Sequence, residues 1–389
     1  LSLKKESQWN KEAKRMEKCL GVISGANIEN NFGALCVHRP VYMLPYAGRY
    51  RLIDFSLSNM VNNGIRTVAV YTGEKVRSTM DHVGDGKAWD LNRRFNGLFL
   101  FPPVSHGLSA KRTGEIPQFY TTRDFFEQAK EKYVFINHPN ILAKVDLAEA
   151  FKFFRESEAD ITFIYKKQSD PYGEYVNTQK MNIAEDGEVL NIGTNLGTER
   201  EFNMYLKMGF LKKEVFIKLV KEAIERGESD NLLETILINK DKYKINSYEF
   251  TGHVENIRNL KSFYDANLNL LKKDIARELF YTNGTIFTKT KDEPSTLYTE
   301  DSVVQNSLVA NGCVIEGTVE NSIIFRGVKI KKGAIVKNSI IMQKSEIHEN
   351  AAVINSIMDK QGIVGEGIRI AGSMLMPFIV EKKQVIRKD

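Results

Sequence analysis

The stretch Tyr46-Ala47-Gly48-Arg49-Tyr50-Arg51-Leu52-Ile53-Asp54-Phe55-Ser56-Leu57-Ser58-Asn59-Met60-Val61-Asn62-Asn63-Gly64 opens on a turn and then sets Leu52, Phe55, Met60 and Val61 at roughly helical spacing. Gly64 offers the Cβ-free residue that a left-handed helix terminus favours. The apolar run Thr67-Val68-Ala69-Val70-Tyr71 follows and reads as a buried strand. Turn, helix and strand make one α/β unit. Arg49, Arg51 and Asp54 stand at its turn, where open α/β sheets place their ligands. Two readings stand for this trio: a ligand site, or residues that cap the helix and pair with one another.

Working outward, Cys19 to Ile23 is a short apolar run fit for a first central strand, and residues 3 to 18 read as a Lys-rich helical arm or lead-in. Ser24 to Gly33 occupies the place of a phosphate-binding turn. It has only two glycines, and no Lys or Arg stands between Ser24 and Arg39, so the segment is poorly set to cradle phosphate. Met80 to Leu91 reads as a polar loop, Gly97 to Pro103 as a strand stopped by prolines, and Thr121 to Lys132 as a helix. Strand Tyr133–Ile136, helix Leu147–Glu158, strand Asp160–Tyr165, helix Lys213–Arg226 and helix Ser262–Ile275 continue the alternation. Such alternation predicts a Rossmann-like α/β domain with a mostly parallel sheet.

From about residue 295 the pattern changes. Asn306-Ser307-Leu308-Val309, Asn321-Ser322-Ile323-Ile324, Asn338-Ser339-Ile340-Ile341 and Asn355-Ser356-Ile357-Met358 are one motif four times, at spacings of 15, 17 and 17 residues. Steps close to three hexapeptides predict a parallel β-helix whose coils each bury the face of the next. Residues 1–275 are thus expected to form the α/β domain with its basic arm, 276–294 a linker, and 295–389 the β-helix. His348 is the only candidate on those coils for acyl-transfer chemistry, and it reads as an exposed surface residue. Lys329, Lys331 and Lys332 read as a solvated face rather than a phosphate site.

The chain has 389 residues, with Lys and Arg exceeding Asp and Glu by 55 to 49. The basic residues are scattered, which disfavours nucleic acid and leaves room for small phosphorylated ligands. Cys19, Cys36 and Cys313 are far apart and form no Cys-x-x-Cys, so neither a disulfide framework nor a zinc site is expected. No apolar run approaches membrane-spanning length, and the expected setting is a reducing cytoplasm without membrane attachment.

Gly48-Arg49-Tyr50-Arg51-Leu52-Ile53-Asp54-Phe55, then Leu57-Ser58-Asn59 and Asn63-Gly64-Ile65, followed by a β-helix, resembles bacterial glucose-1-phosphate adenylyltransferase through nearly the whole chain. Lys261-Ser262-Phe263-Tyr264-Asp265-Ala266-Asn267 is similar to that family's signature at the end of the first domain. Ser78 to Leu91 and Gly97 to Pro103 resemble its second, GlgD-type subunit. The resemblance implies a left-handed β-helix. It also implies a reaction in which a glucose 1-phosphate oxygen attacks the α-phosphorus of ATP while Mg²⁺ bridges the triphosphate and two carboxylates.

Against that family pattern this chain departs at each catalytic place. The Gly-rich loop is replaced by Ser24 to Gly33, and the basic residue of the Arg-Ala-Lys-Pro motif falls on Val41, although Arg39 persists. The two metal carboxylates fall on Asn140 and Asn256, with Glu255 beside the latter. The nucleotide-contacting Gly-Thr-Ala-Asp motif is matched to Thr121-Thr122-Arg123-Asp124. An amide oxygen is a poor ligand for a hard dication. Losing one such electrostatic group slows catalysis by roughly two to three orders of magnitude.

The resemblance therefore implies no catalytic residues of its own and no firmly bound cofactor, with Mg²⁺ and ATP expected at a catalytic partner. Arg39, Arg49, Arg51, Asp54, Asp124 and Glu255 remain candidates for substrate or effector binding. The partner is expected to be the catalytic subunit in a hetero-oligomer, a tetramer by family habit, tuned by a sugar-phosphate effector. An active enzyme with a divergent metal site and a sensing module without a partner are the alternatives.

Overall fold

The computed structural model describes residues 16, 18–25, 29–103 and 114–388. The helical arm expected over residues 3–18 lies almost wholly outside them, as do residues 26–28 of the proposed phosphate turn. In chain order the first part forms β1 (Cys19–Ser24), α1 (Leu52–Asn62), β2 (Thr67–Tyr71), α2 (Val76–Val83), β3 (Gly97–Phe101), α3 (Glu115–Thr121), α4 (Arg123–Gln128) and β4 (Tyr133–Asn137). Next come α5 (Leu147–Glu156), β5 (Ile161–Ser169), β6 (Gln179–Ile183), β7 (Val189–Thr194), β8 (Glu201–Lys212), α6 (Lys213–Arg226), α7 (Leu232–Ile238), β9 (Ile245–Glu249), α8 (Leu260–Asn269) and α9 (Lys273–Tyr281). The chain divides into two compact bodies.

The first body holds β1, Ser56–Val76 and Gly84–Gly252. Its sheet runs β7-β6-β8-β4-β1-β2-β3, with β5 and β9 continuing from β8. Strands β3, β2, β1 and β4 are parallel neighbours, so their C-terminal ends share one edge. Strand β8 joins antiparallel to β4, β5 and β6, an antiparallel half that alternation alone did not announce. Leu20, Val22, Val134, Ile136, Phe163 and Phe216 belong to its buried core, each such side chain contributing about 1.5–3 kcal/mol. Helix α6 spans the residues its periodicity predicts and ends at Gly227 with φ +66°. Helix α1 closes in the same way, with Gly64 at φ +88° and Ile65 N–H returning to Met60 O. Gly97 has φ +104°, and a Cβ there would stand 2.5 Å from Leu91 O. Met80–Val83, expected as loop, is instead the last part of α2; of the helix expected over Thr121–Lys132, Arg123–Gln128 forms α4, Thr121 ends α3 and residues 129–132 are not helical. The helix expected over Ser262–Ile275 breaks after Asn269 and resumes as α9.

The second body holds the segment ending at Phe55, Arg77–Val83 and everything from His253. Its β-helix has three parallel sheets of short strands, one of six and two of five. Asn306, Asn321, Asn338 and Asn355 turn the same corner with φ between 43° and 47°, a left-handed conformation that Asn tolerates. Below each corner a serine hydroxyl receives the next serine's N–H: Ser322 to Ser307 at 3.1 Å, Ser339 to Ser322 at 3.0 Å, Ser356 to Ser339 at 3.1 Å. Ile324, Ile341 and Met358 stack inside with no exposure. The regularity breaks once: Ser356 pairs with Phe378 rather than a residue 17 further on, leaving an excursion at Gly372–Met376 with Leu375 and Met376 exposed. All three cysteines are buried. Among the described residues no helix is long and apolar enough to cross a membrane.

Candidate functional site

In the first body the ligand edge is defined by Ser24, last residue of β1, and His138, which follows β4. Glu115 opens α3 against them. Its Oε1 receives the Ser24 hydroxyl and lies 3.1 Å from His138 Nε2. Burial raises the Glu115 pKa, but His138 and the hydrogen bonds from His138 and Ser24 outweigh it and hold the carboxyl below its usual range. A carboxylate fixed at this edge repels phosphate, which is what the edge of a catalytic relative must attract. Asn140 is buried in the turn after His138, and burial pulls the Lys144 ammonium down to about 8. Asp124 is different: it lies in the first turn of α4, largely exposed, with Arg123 Nε 3.9 Å away.

In the second body the turn Ala47-Gly48 joins the paired strands Pro45–Tyr46 and Tyr50–Arg51, with φ +55° and +74°. Asp54 is fully buried. One oxygen receives Arg51 N–H at 3.0 Å and the other meets His82 Nε2 at 2.6 Å, so its carboxylate is consumed by structure. Arg51 donates to Met43 O at 2.7 Å, and burial, then the neighbouring Arg39, pull its pKa down to about 10. Arg39 reaches both oxygens of Asp359 at 2.8 and 2.6 Å, with both side chains almost wholly buried. Next to that pair, burial and then Arg51 and Arg39 pull Lys360 down to about 6. Arg49, Tyr50, Lys291, Asn311 and Arg326 line a cleft of about 270 Å³. Val41 is buried at the start of a 3₁₀ turn.

Glu255, the carboxylate beside Asn256, is taken by His253 Nε2 at 2.8 Å and Asn269 Nδ2 at 3.0 Å. Asn140 and Asn256 supply only neutral amides, and among the described residues no three His, Cys, Asp or Glu side chains gather to hold a metal ion. These donors do not fit Mg²⁺. Lys329, Lys331 and Lys332 are paired with Glu346, Glu316 and Asp301 at 2.9, 3.5 and 3.0 Å, a surface ladder in which each ammonium has a carboxylate. His348 is a half-buried neighbour of Glu346.

Sequence reasoning missed Glu115, His138, Asp359 and Lys360. For Asp359 a signal was present. The residues after the four repeats are Ala310, Phe325, Met342 and Asp359, so a carboxylate stands in an otherwise apolar series.

Residues 34–273 match the nucleotidyl transferase family, and residues 294–374 match the GlmU-like C-terminal hexapeptide family. Sheet and coils together define the class: a nucleotidyl transferase fold carrying a hexapeptide β-helix. The chain is 34% identical over 314 residues, 81% of each chain, to the glycogen biosynthesis protein GlgD of Bacillus subtilis (strain 168). It is 35% identical over 320 residues to GlgD of Geobacillus stearothermophilus, covering 82% of this chain and 83% of that one. To the glucose-1-phosphate adenylyltransferase of Mycoplasma mobile it is 33% identical over 299 residues, 75% and 77% of the two chains. The chain belongs to the glucose-1-phosphate adenylyltransferase family, as a GlgD-type member.

Proposed function

We propose that this chain is a regulatory subunit, catalytically weak or silent, that supports ADP-glucose synthesis from ATP and glucose 1-phosphate for glycogen biosynthesis. It works in the cytoplasm by joining a catalytic subunit, in a hetero-tetramer, and shifting that partner between states of different activity. The observation that carries the reading is the chemistry of the catalytic positions: Asn140 and Asn256 in place of carboxylates, and Glu115 fixed by Ser24 and His138 at the strand ends. The exposed apolar residues of the first coil, Leu297, Tyr298 and Val303, support the β-helix as the contact surface. The guanidiniums of Arg39 and Arg51, with the Lys360 amine beside them, support a phosphorylated effector in the second body.

Pyrophosphate release from ATP, glucose 1-phosphate and Mg²⁺ tests this, first with the chain alone and then with a catalytic subunit added. The expected result is negligible release alone and stimulation in the mixture. Strong Mg²⁺-dependent turnover by the chain alone would overturn it in favour of an active enzyme. Silence in both would leave a sensing module that needs no partner.

A further inference from the structure

We propose that Asp359 is a built-in counter-anion, holding Arg39 until a phosphate dianion that enters beside Lys360 and Arg51 displaces it. This rests on reading the Arg39–Arg51–Lys360 cluster as the effector site, and it adds the residue that sets the site's affinity and ligand charge.

Three observations converge. Asp359 occupies the buried position filled by Phe325 and Met342 in the two preceding coils, on the face opposite the inward Met358 and turned towards Arg39. Its Oδ1 accepts the backbone N–H of Lys360 at 2.7 Å, a bond that a neutral amide oxygen makes equally well, so the coil does not require the charge. Arg39 comes from a segment 320 residues away, and its Nη2 alone reaches both carboxylate oxygens while Nη1 turns to Met342 Sδ, so the two-nitrogen fork that grips phosphate is not spent on Asp359. Finally, the pair leaves its surroundings positive. Arg51 feels Arg39 and Arg326 as well as Asp54 and Asp359, and the Asp54 carboxylate is already committed to His82 and the Arg51 amide. Lys360 sees Arg51, Arg39 and Lys382 against Asp359 alone, whose two oxygens Arg39 holds.

Asp54 and Asp359 therefore face two guanidiniums and the Lys360 amine, which is largely unprotonated at neutral pH and takes up a proton when a dianion arrives. A phosphate ester, doubly charged near neutral pH, compensates the cluster better than the carboxylate does. Because Arg39 and Asp359 are 3% and 1% exposed, the ligand's path is past the half-buried Lys360, and Arg39 must turn from one anion to the other. While Asp359 holds Arg39, the apparent affinity for phosphate is lowered by the population of the closed pair.

Titration calorimetry of the full chain with inorganic phosphate tests this, comparing wild type with Asp359→Asn and Lys360→Met. Asp359→Asn is expected to tighten phosphate about tenfold, because the competing state is weakened. Lys360→Met is expected to weaken it about tenfold, through loss of a charge-assisted contact. Unchanged or weaker binding in Asp359→Asn, with Lys360→Met still impaired, overturns the counter-anion and leaves the effector site standing. Equal binding by wild type and Lys360→Met overturns the site itself. Should Asp359→Asn not fold, ¹⁵N-arginine-labelled wild type supplies the second reading, with Arg39 assigned from Arg39→Lys. Its guanidinium resonance is expected to move on phosphate saturation. A resonance that stays fixed while Arg51 moves overturns the displacement.

Discussion

His82 Nε2 lies 2.6 Å from one oxygen of Asp54, and the other oxygen of that carboxylate receives the backbone N–H of Arg51 at 3.0 Å. Of the two readings open for the turn, Asp54 takes the structural one: it ties the start of α1 to α2. Burial pulls the imidazole below its ordinary pKa, although Asp54 pulls it upward. The folded chain thus binds fewer protons here than the unfolded chain as pH falls through 6.5. Stability is expected to fall on acidification through that region and to level off below the folded pKa. Urea midpoints measured across this range should show the slope in wild type and a shallower one in His82→Gln.

The Arg39–Asp359 pair predicts strong non-additivity. Arg39→Met or Asp359→Leu alone leaves an uncompensated buried charge and should lower the unfolding free energy by about 3–5 kcal/mol. The double variant restores the apolar series of Phe325 and Met342 and should lose far less than the sum. A double-mutant cycle by urea denaturation checks this, and additive losses would count against a coupled pair.

Lys360 should be a site where stability and binding oppose each other. Its ammonium is pulled from 10.5 to about 6, so between those values the unfolded chain holds a proton that the folded chain lacks. Stability from this group therefore rises with pH across that window and is flat below it. Lys360→Met removes the slope and should stabilise the chain at pH 7 by about 1–2 kcal/mol, a modest gain because solvent reaches part of the side chain. Denaturation at pH 7 and pH 9, with phosphate binding measured beside it, gives both halves of the comparison.

The repeat corners separate two contributions. Asn338 has φ +47°, so Asn338→Gly should be nearly neutral, whereas Asn338→Val should cost about 1–2 kcal/mol through left-handed strain. Ser339 donates to Lys337 O at 2.7 Å and accepts Ser356 N–H at 3.1 Å. Ser339→Ala should cost about 1–3 kcal/mol by leaving those groups unsatisfied inside the coil. Thermal melts of the three variants suffice to rank them.

The β-helix was legible because its corners and serine ladder repeat a local geometry in local sequence, and Gly64 and Gly227 end helices for reasons confined to a few residues. The pairs that decide the candidate site are not of that kind. Arg39 finds Asp359 across 320 residues and Ser24 finds Glu115 across 91, and periodicity carries no information about such meetings. Met80–Val83 went unread as helix because His82 belongs to a polar face whose burial depends on Asp54, a partner supplied by tertiary contact. Sequence put Arg49 and Arg51 at this turn, but only the fold shows that Arg51 is half-buried and that Arg49 lines a cleft.

The three buried thiols give the molecule its own opening gauge. Cys19 lies in the sheet, Cys36 beside the Arg39 segment and Cys313 inside the first turns of the solenoid. Burial lifts the pKa of Cys19 and of Cys313, so neither is a ready nucleophile while folded. Alkylation at each cysteine then times the loosening of its own body, and an effector that tightens only one of them would slow the clock there and leave the other running.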